Sequence, residues 1–203
     1  MTRTDCCLLI PCINKDKDIP AETLEIINPS EIIRSYVKGL GKARNDLVIR
    51  SNNDYLLFVD CGIRFSKTTF ETYIKPAIKE RKILMYKGEN NVLCTKIFGI
   101  PRKLFCELGG FDETFHIGED LEFGLRIPAD AEKIEIPQSL IDHLEHEKRG
   151  KYLNDLCVRV RLALRYNRLD LLKIQRKKDF LGIFLMPFLL AYYAFNNKRK
   201  NIN

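Results

Sequence analysis

Residues Gly109 to Arg126 read GGFDETFHIGEDLEFGLR, and this stretch is the most informative part of the 203-residue chain. A Gly-Gly pair opens it, an acidic and aromatic loop follows, and the charged residues at its end are spaced as in a helix. Glu119 and Asp120 fall in the first turn of that predicted helix, where exposed N–H groups and the helix dipole favour carboxylates. The two carboxylates either cap and charge the helix or carry out acid–base chemistry.

The segment Tyr55 to Asp60, which reads YLLFVD, is the strongest predicted strand. Its apolar run indicates burial on both faces, as in a parallel sheet covered by helices. Asp60 would then lie at the carboxyl edge of the sheet, where open α/β sheets bind ligands. The alternative is that Asp60 only caps the turn after the strand.

The first forty residues predict two short strands and a helix. Asp5 to Ile10 is an apolar run closed by Pro11, which is typical of a buried strand. Leu24 to Ile27 predicts a second strand, and Asn28-Pro29-Ser30 predicts a turn into a helix capped by Ser30. The apolar face of that helix would contain Ile32, Ile33, Tyr36, Val37 and Leu40. Because the link between the two strands is too short for a full crossover helix, we expect a shortened first unit.

The middle of the chain predicts further helices and strands. They are a helix capped by Ser66, a hairpin of Ile83–Tyr86 with Val92–Ile100, a helix of Pro101–Leu108 ended by Gly109, and strands at Ile134–Ile136 and Leu140–Leu144. Together with the buried strand before Asp60, these elements predict a mostly parallel sheet flanked by helices.

The stretch GGFDETFHIGEDLEFGLR resembles the GGFDE…ED…R segment of family 2-like nucleotide-sugar glycosyltransferases with the GT-A fold. Three other segments resemble parts of the same family in the same order: Pro11-Cys12-Ile13-Asn14, Ala43-Arg44-Asn45 and Asp60. The resemblance implies an α/β, GT-A-like (Rossmann-like) fold with a mostly parallel twisted sheet. It also implies that residues 1–150 form a nucleotide-sugar-binding and catalytic domain.

The resemblance implies an inverting enzyme that moves a sugar from a UDP or GDP donor to a hydroxyl of a glycan, lipid or protein. Asp120, or Glu119, would remove the acceptor proton, while Arg44 would approach the diphosphate. The implied donor-binding residues are Pro11, Cys12, Asn14, Asn28 (where the family usually has Asp), Arg44 and Asp60. The acceptor side is implied at Gly109, Gly110 and His116. Without the resemblance, Arg44 would be a surface residue after a helix interrupted by glycines.

The segment Asp60-Cys61-Gly62 departs from the family's Asp-x-Asp motif, whose carboxylates hold the ribose and a divalent cation. Mn²⁺ or Mg²⁺ takes oxygen ligands and would neutralise a departing diphosphate. With Gly62 at the second acidic position, Asp60 would hold the cation with help from elsewhere, and His143 is the candidate second ligand. Alternatively, the enzyme needs little or no metal, or the chain is a non-catalytic nucleotide-sugar or glycan-binding protein on the same fold.

Residues 151–203 form a helical tail of different character. Tyr152 to Tyr166 predicts an amphipathic basic helix, and Phe180 to Phe195 reads FLGIFLMPFLLAYYAF between basic flanks. A helix of about 16 residues spans ~24 Å, less than the ~30 Å hydrocarbon core. The tail therefore predicts either a packed helix or contact with an anionic membrane surface, rather than a single membrane span.

Composition narrows the class of protein. A hydrophobic fraction of 45% indicates a folded chain, and the net charge of +7 suits an acidic partner. Nucleic acid is disfavoured because the chain has no recognisable reading motif. The seven cysteines form no CxxC pair or zinc-ligand spacing. Because Met1 to Asp5 is polar, we expect a cytoplasmic protein, peripheral at the inner face of a membrane.

Overall fold

The computed structural model describes residues 4–12, 18–87, 93–143 and 152–167, with isolated positions at 187 and 191. The chain divides into two compact units, Met1–His146 and Glu147–Asn203. The assignment of separate functions to residues 1–150 and 151–203 stays a prediction.

The first unit alternates strands and helices. Its strands are β1 (Thr4–Pro11), β2 (Pro29–Ser35), β3 (Tyr55–Val59), β4 (Ile63–Arg64), β5 (Ile83–Lys87), β6 (Leu93–Pro101), β7 (Lys133–Ile136) and β8 (Asp142–His143). Its helices are α1 (Ala21–Ile27), α2 (Leu40–Arg50), α3 (Lys67–Thr69), α4 (Lys75–Lys79), α5 (Arg102–Glu107) and α6 (Glu119–Arg126). A π-helical turn, Phe70–Ile74, joins α3 to α4, and Gln138–Leu140 forms a 3₁₀ turn.

Six strands form one mixed sheet in the order β2-β1-β3-β6-β5-β7. Strand β1 runs parallel to β2 and β3, and β5 runs parallel to β7. Strand β6 lies antiparallel to both of its neighbours, β3 and β5. Helices on both faces complete the predicted α/β fold. This topology places the carboxyl ends of β1, β2 and β3 along one edge of the sheet.

The two faces of the sheet bury separate cores. On one face, α2, α5 and α6 enclose five phenylalanine rings with neighbouring centroids 4.6–6.0 Å apart: Phe58, Phe98, Phe105, Phe111 and Phe123. On the other face, α1 and the helical segment of residues 67–79 cover the alternate strand residues, including Leu8, Leu57 and Ile97. A sheet buried on both sides explains the continuous apolar run of β3.

The secondary structure predicted for residues 24–40 is wrong. Leu24 to Ile27 lies in α1, and the segment predicted as a helix from Ser30 forms strand β2 instead. Asn28 ends α1 at φ 43°, and its N–H donates to the Leu24 carbonyl at 2.8 Å. Residues from Pro29 onward then pair in parallel with β1. The apolar pattern is compatible with either a helix or a strand. The segment is a strand because it pairs with the edge of β1, and only an extended segment can form that parallel ladder.

Predictions for the middle of the chain are confirmed in outline. The Ser66 hydroxyl accepts a hydrogen bond from the Thr69 N–H at 3.1 Å and so caps the helical segment. Strands β5 and β6 pair as an antiparallel hairpin whose turn lies outside the described residues. Strand β7 forms as predicted, whereas Leu140 belongs to the 3₁₀ turn and only Asp142–His143 of the last predicted strand is extended.

In the second unit, Tyr152–Tyr166 forms helix α7, as predicted. Its Val160, Leu162 and Ala163 are buried. The apolar segment Phe180–Phe195 lies outside the described residues except at 187 and 191. Among the helices that the structure describes, none is long and apolar enough to cross a membrane. The predicted membrane contact of the tail stays a prediction.

Candidate active site

A buried arginine links the two acidic segments singled out from the sequence. Arg44, on α2, is 1% exposed, and its two terminal nitrogens contact different carboxylates. Nη1 donates to Glu119 Oε1 at 2.8 Å, and Nη2 donates to Asp60 Oδ1 at 3.1 Å. Glu119 comes from the first turn of α6, and Asp60 directly follows β3. The structure therefore brings together three residues that are far apart in the sequence.

The surroundings of Arg44 keep its guanidinium charged. Burial alone would lower the pKa of Arg44, but the charges of Asp60, Glu119 and Asp120 outweigh it and raise that pKa above its ordinary value. The guanidinium also lies over the Phe111 ring, with Cζ 5.4 Å from the centroid. Its Nε has no hydrogen-bond partner among the described residues. Arg44 thus holds the two carboxylates in place, and its predicted approach to the diphosphate stays a prediction.

Asp120 differs from its neighbour Glu119 because the guanidinium pairs with Glu119 and not with Asp120. Asp120 is half-buried, and its Oδ1 accepts a hydrogen bond from the Leu121 N–H at 2.8 Å. Burial and the negative charge of Glu119 raise the pKa of Asp120 to about 6, against the opposing effects of Arg44 and the Leu121 N–H. A carboxylate with such a pKa is ionised at neutral pH, yet basic enough to accept a proton.

Asn45 fixes the loop before α6 to helix α2. Its Nδ2 donates to the Phe111 carbonyl at 2.9 Å, and its Oδ1 accepts from the Phe111 N–H at 2.9 Å. Gly110 lies against this amide, since a Cβ there would come within 2.9 Å of Asn45 Oδ1. Gly110 therefore provides close packing at a φ of 69°, while the exposed Gly109 has nothing within 4 Å of an added Cβ.

Glu122 and Arg126 fix α6 from its inner side. Glu122 is fully buried, and both of its oxygens accept hydrogen bonds from Arg126, at 2.9 and 2.7 Å. The same guanidinium donates to the Leu108 carbonyl and, at 2.7 Å, to the Gly110 carbonyl. Helix α6 also approaches β6 closely, because a Cβ on Gly124 would come within 2.9 Å of Leu93 Cβ. These contacts set where Glu119 and Asp120 stand.

The ends of β1 and β3 place two cysteines beside Asp60. Cys12 is buried, and its Sγ lies 3.4 Å from the Sγ of Cys61. Burial raises the pKa of both thiols, that of Cys61 to about 12. Pro11 ends β1, and the Cys12 N–H donates to the Ser35 carbonyl at 2.8 Å. Cys12 and Asp60 thus lie at one edge, as predicted, whereas Asn14 lies outside the described residues.

Asn28 lies beside the amino end of β1, whereas Cys12 and Asp60 lie at the carboxyl ends of their strands. Its carbonyl accepts from the N–H of Thr4, the first residue of β1, whereas Cys12 follows the last residue of that strand. Eight residues of extended chain separate the two positions. The predicted contact of Asn28 with the donor is therefore wrong, for the same reason that the predicted secondary structure of this segment is wrong.

Two histidines were predicted near the site. The backbone of His143 pairs with Ile63 in the short β4–β8 ladder, three residues after Asp60. The role of His143 as a metal ligand stays a prediction. His116 is exposed in the loop that leads to Gly118, which begins α6 at a φ of 77°. Its predicted role on the acceptor side also stays a prediction.

Two features of this edge were not predicted. Arg34, near the end of β2, donates from Nε and Nη2 to Asp18, with the shortest distance 2.7 Å. Lys96, on β6, lies opposite Asp60 and accepts a hydrogen bond from the Asp60 N–H at 2.9 Å. A signal for Lys96 was available, since it is the one charged residue in the predicted strand Val92–Ile100. Arg34 was missed because the segment that contains it was predicted as a helix and not as a strand ending at this edge.

Asp60 is the residue predicted to hold the cation, and that role stays a prediction. Across residues 4–12, 18–87, 93–143 and 152–167, no group of three or more His, Cys, Asp or Glu side chains is arranged to hold a metal ion. Mg²⁺ commonly keeps only one or two carboxylate ligands and takes its other oxygens from phosphates and water. The described residues therefore fit a cation that arrives with a diphosphate, and not one held by protein alone.

Neither the protein-family models nor the curated proteins give a match to this sequence. Among solved structures, the chain is similar to a mannosyltransferase of Pyrobaculum calidifontis in complex with GDP-Man and Mn²⁺, with TM-score 0.54, 13% identity, and coverage of 95% of this chain and 74% of that one. It is also similar to the catalytic domain of Drosophila β1,4-galactosyltransferase 7 in complex with xylobiose, with TM-score 0.51, 14% identity, and coverage of 73% and 76%.

A third similar structure is S. aureus TarS. Residues 1–349 in complex with UDP-GlcNAc match with TM-score 0.51 and 13% identity, over 94% of this chain and 71% of that one. Against a longer TarS chain the match has TM-score 0.50 and covers 40% of that chain, so the present chain spans less than half its length. At these identities the comparisons concern the fold. The chain has the GT-A fold of these nucleotide-sugar glycosyltransferases, as its sequence predicted.

Proposed function

We propose that this chain is a glycosyltransferase that moves a sugar from a nucleotide-diphosphate donor to an acceptor hydroxyl with inversion. The observation that carries the proposal is the pair Glu119 and Asp120 at the start of α6, in which only Glu119 is neutralised by Arg44. Asp120 remains as a carboxylate with a raised pKa at the ligand-binding edge of an α/β sheet. The names of the structurally similar proteins support the reaction class.

In the proposed reaction, Asp120 is the general base. Its carboxylate accepts the proton of the acceptor hydroxyl while the oxygen attacks the anomeric carbon, and the nucleoside diphosphate leaves from the opposite side. General base assistance contributes about 10²–10⁴ in rate, and it is most effective when the pKa of the base lies near the working pH. The pKa of about 6 for Asp120 meets that condition.

Arg44 acts on this reaction through the carboxylates that it holds. Its contacts with Asp60 and Glu119 connect the end of β3 to the start of α6, so that the donor side and the acceptor side keep a fixed separation. Fixed geometry of this kind lowers the entropic cost of bringing reactants together. Arg44 is therefore a positioning residue in this proposal.

Asp60 would orient the donor. Of the residues that the structure describes at this edge, Asp60 is the carboxylate that follows β3, and its side chain is 23% exposed. It would contact the ribose or a divalent cation carried by the diphosphate. When bound, such a cation supplies Lewis-acid stabilisation of the leaving phosphates.

Separate measurements of binding and of transfer test the proposal. We would titrate the protein with UDP- and GDP-sugars by calorimetry, with and without Mn²⁺, and follow donor hydrolysis. Asp120→Asn should abolish turnover while it preserves donor binding, and Asp60→Ala should weaken donor binding. In the wild-type protein, kcat/KM should rise with pH through an apparent pKa near 6. Full turnover by Asp120→Asn would exclude Asp120 as the base.

A non-catalytic nucleotide-sugar or glycan-binding protein is the second candidate function. One observation favours it: Gly62 replaces the second carboxylate of the metal-binding motif, and the carboxylate of Asp60 already pairs with Arg44. A glycosyltransferase and a nucleotide-sugar-binding protein both predict donor binding, whereas a glycan-binding protein predicts binding of the glycan only. Donor binding without turnover for any acceptor class, and without donor hydrolysis in the presence of Mn²⁺, would select the binding protein.

A further inference from the structure

Lys96 lies next to the candidate donor site on the antiparallel strand. The Asp60 N–H donates to the Lys96 carbonyl at 2.9 Å, and the adjacent residues Val59 and Ile97 are paired in the β3–β6 ladder. Residues directly opposite each other in an antiparallel pair place their side chains on the same face of the sheet. Lys96 and Asp60 are therefore neighbours on one face.

That face is the one covered by α2 and α6. Phe58 and Phe98, each two residues from this pair, pack into the aromatic core beneath these helices. Side chains along a strand alternate with a period of two, so Asp60 and Lys96 project to the same side as these rings. The contact of Asp60 with Arg44 on α2 agrees with this direction. Lys96 thus projects toward the helices that carry the catalytic candidates.

Strand β6 is irregular at Lys96. Met85 pairs with Phe98, whereas the next residue of β5, Tyr86, pairs with Cys94. One step along β5 therefore corresponds to four steps along β6, which leaves the residues around Lys96 out of the β5–β6 ladder. Such bulges are common beside active sites, and this one leaves intact the β3–β6 pairing from which the direction of Lys96 follows.

The partly buried thiol of Cys94 lies close enough to this edge for its pKa to depend on the charges there. Burial raises the pKa of Cys94 to about 11, and the charges of Asp120 and Asp60 act in the same direction. A hydrogen bond from the Lys96 N–H and the charge of Lys96 oppose them. Lys96, Asp60 and Asp120 therefore all lie within electrostatic reach of one atom.

The described charges of the site are mostly negative, so a diphosphate would bind better with another cation nearby. Asp60, Glu119 and Asp120 oppose one guanidinium, and Arg44 is already committed to two of these carboxylates. A diphosphate that approaches such a site is repelled unless positive charge is supplied. Lys96 is half-buried, and no ion pair joins it to another residue within the part of the chain that the structure describes.

We infer that the Lys96 ammonium binds the diphosphate of the donor, and that it supplies positive charge beside the incomplete Asp60-Cys61-Gly62 motif. The inference rests on the proposed function, because it names a binding group for the donor of that reaction. A lysine is suited to the role as a compact point charge with three donors. Part of the charge that a metal would supply is then permanent, and diphosphate binding does not depend on metal alone.

Calorimetry with UDP, GDP, uridine and guanosine tests the inference, each titrated with Mn²⁺ and with EDTA. The variants are Lys96→Gln and Lys96→Arg, and the matched control is Lys103→Gln, which removes the same charge from a side chain on α5 that is 88% exposed. A lost charged hydrogen bond should weaken the nucleoside diphosphate about tenfold to hundredfold. The effect should be larger in EDTA, absent for the unphosphorylated nucleosides, absent in the control, and mostly reversed in Lys96→Arg.

The outcomes separate this inference from the proposed function. If wild-type protein binds neither diphosphate, the proposed function fails and this inference fails with it. If wild-type protein binds a diphosphate and Lys96→Gln binds it equally well in EDTA, only the role of Lys96 is overturned. If Lys96→Gln also loses the nucleoside alone, the substitution has disturbed the pocket in general, and that result contradicts a specific contact with phosphate.

Discussion

Arg44 and Arg34 both stand at the carboxyl edge of the sheet, and each pairs with carboxylates, but their surroundings differ. Arg44 is 1% exposed and divides its two terminal nitrogens between Asp60 and Glu119, whereas Arg34 is 31% exposed and directs Nε and Nη2 to Asp18. The first arrangement lies in the protein interior, and the second is partly exposed to water. The same chemical contact should therefore have different energetic consequences at the two places.

The physical reason is desolvation. Removing one partner of a buried ion pair leaves an uncompensated charge in a poorly solvated place, which costs about 3–5 kcal/mol. Removing one partner of an exposed pair exchanges the contact for water, and the median change is about 0–1 kcal/mol. Arg44 is thus expected to hold the site together, while Arg34 adds little to stability.

The largest effect is expected from Arg44→Ala. It should lower the free energy of unfolding by about 3–5 kcal/mol, because Asp60 and Glu119 would remain near each other without their cation. Urea unfolding at pH 7 measures this difference, and Arg34→Ala is the matched control. Arg44→Lys should recover only part of the loss, because one ammonium does not reproduce the fork of a guanidinium. Equal losses in Arg44→Ala and Arg34→Ala would contradict the comparison.

The second prediction tests whether ion pairs alone hold α2 against the loop before α6. Asn45→Ala removes both hydrogen bonds to the Phe111 backbone, at 2.9 Å each, and should cost about 1–3 kcal/mol, less than the loss of Arg44. Asn45→Asp keeps an acceptor for the N–H of Phe111 but loses the donor to its carbonyl. Urea unfolding should rank the two Asn45 variants below wild type and above Arg44→Ala. A loss from Asn45→Ala as large as that from Arg44→Ala would mean that the amide contributes as much as the ion pairs.

How far the sequence predicts this molecule depends on how local the deciding interactions are. The five apolar residues of β3 can be stable only when covered on both faces, so Tyr55 to Val59 was predicted correctly from its own composition. The cap at Ser66 is also local, since its partner Thr69 lies three residues away. Both features could be predicted because neither depends on distant parts of the chain.

Leu24 to Ile27 and the residues after it were predicted wrongly because distant contacts decide them. Four residues of mostly apolar chain satisfy a helix or a strand equally well. Strand β2 forms because β1 offers it an edge, and α1 forms because its apolar residues pack under the sheet. Prediction of the site met the same limit. The pairing of Arg44 with Glu119 was not predicted, because Glu119 is 75 residues away and the burial of Arg44 depends on how α6 packs.

A third, smaller effect distinguishes Asp120 from the paired Glu119. The pKa of Asp120 is raised from 3.8 to about 6 in the folded protein, so folding is favoured most below pH 4 and this contribution is lost as the pH rises toward 6. Two pKa units correspond to about 3 kcal/mol. Because the side chain is partly exposed and solvent screens the interaction, we expect roughly half of that. Asp120→Asn should therefore unfold at higher urea than wild type at pH 7, and the advantage should disappear at pH 4. A stability difference independent of pH would contradict the raised pKa.

The smallest effect is expected from Arg34→Ala. Its salt dependence gives the most direct test of the difference between Arg44 and Arg34. Although Arg34 makes three hydrogen bonds to Asp18, the shortest at 2.7 Å, both side chains are exposed enough for water to replace the contact. The free energy of unfolding should fall by about 0–1 kcal/mol, and the difference should shrink further in 1 M NaCl, where the Debye length is about 3 Å. Arg44→Ala should keep most of its loss in the same salt, because its charges are shielded from the solvent ions. If salt reduced both losses alike, burial would not be what separates the two arginines, and Arg44 would lose its assigned role as the internal support of the site.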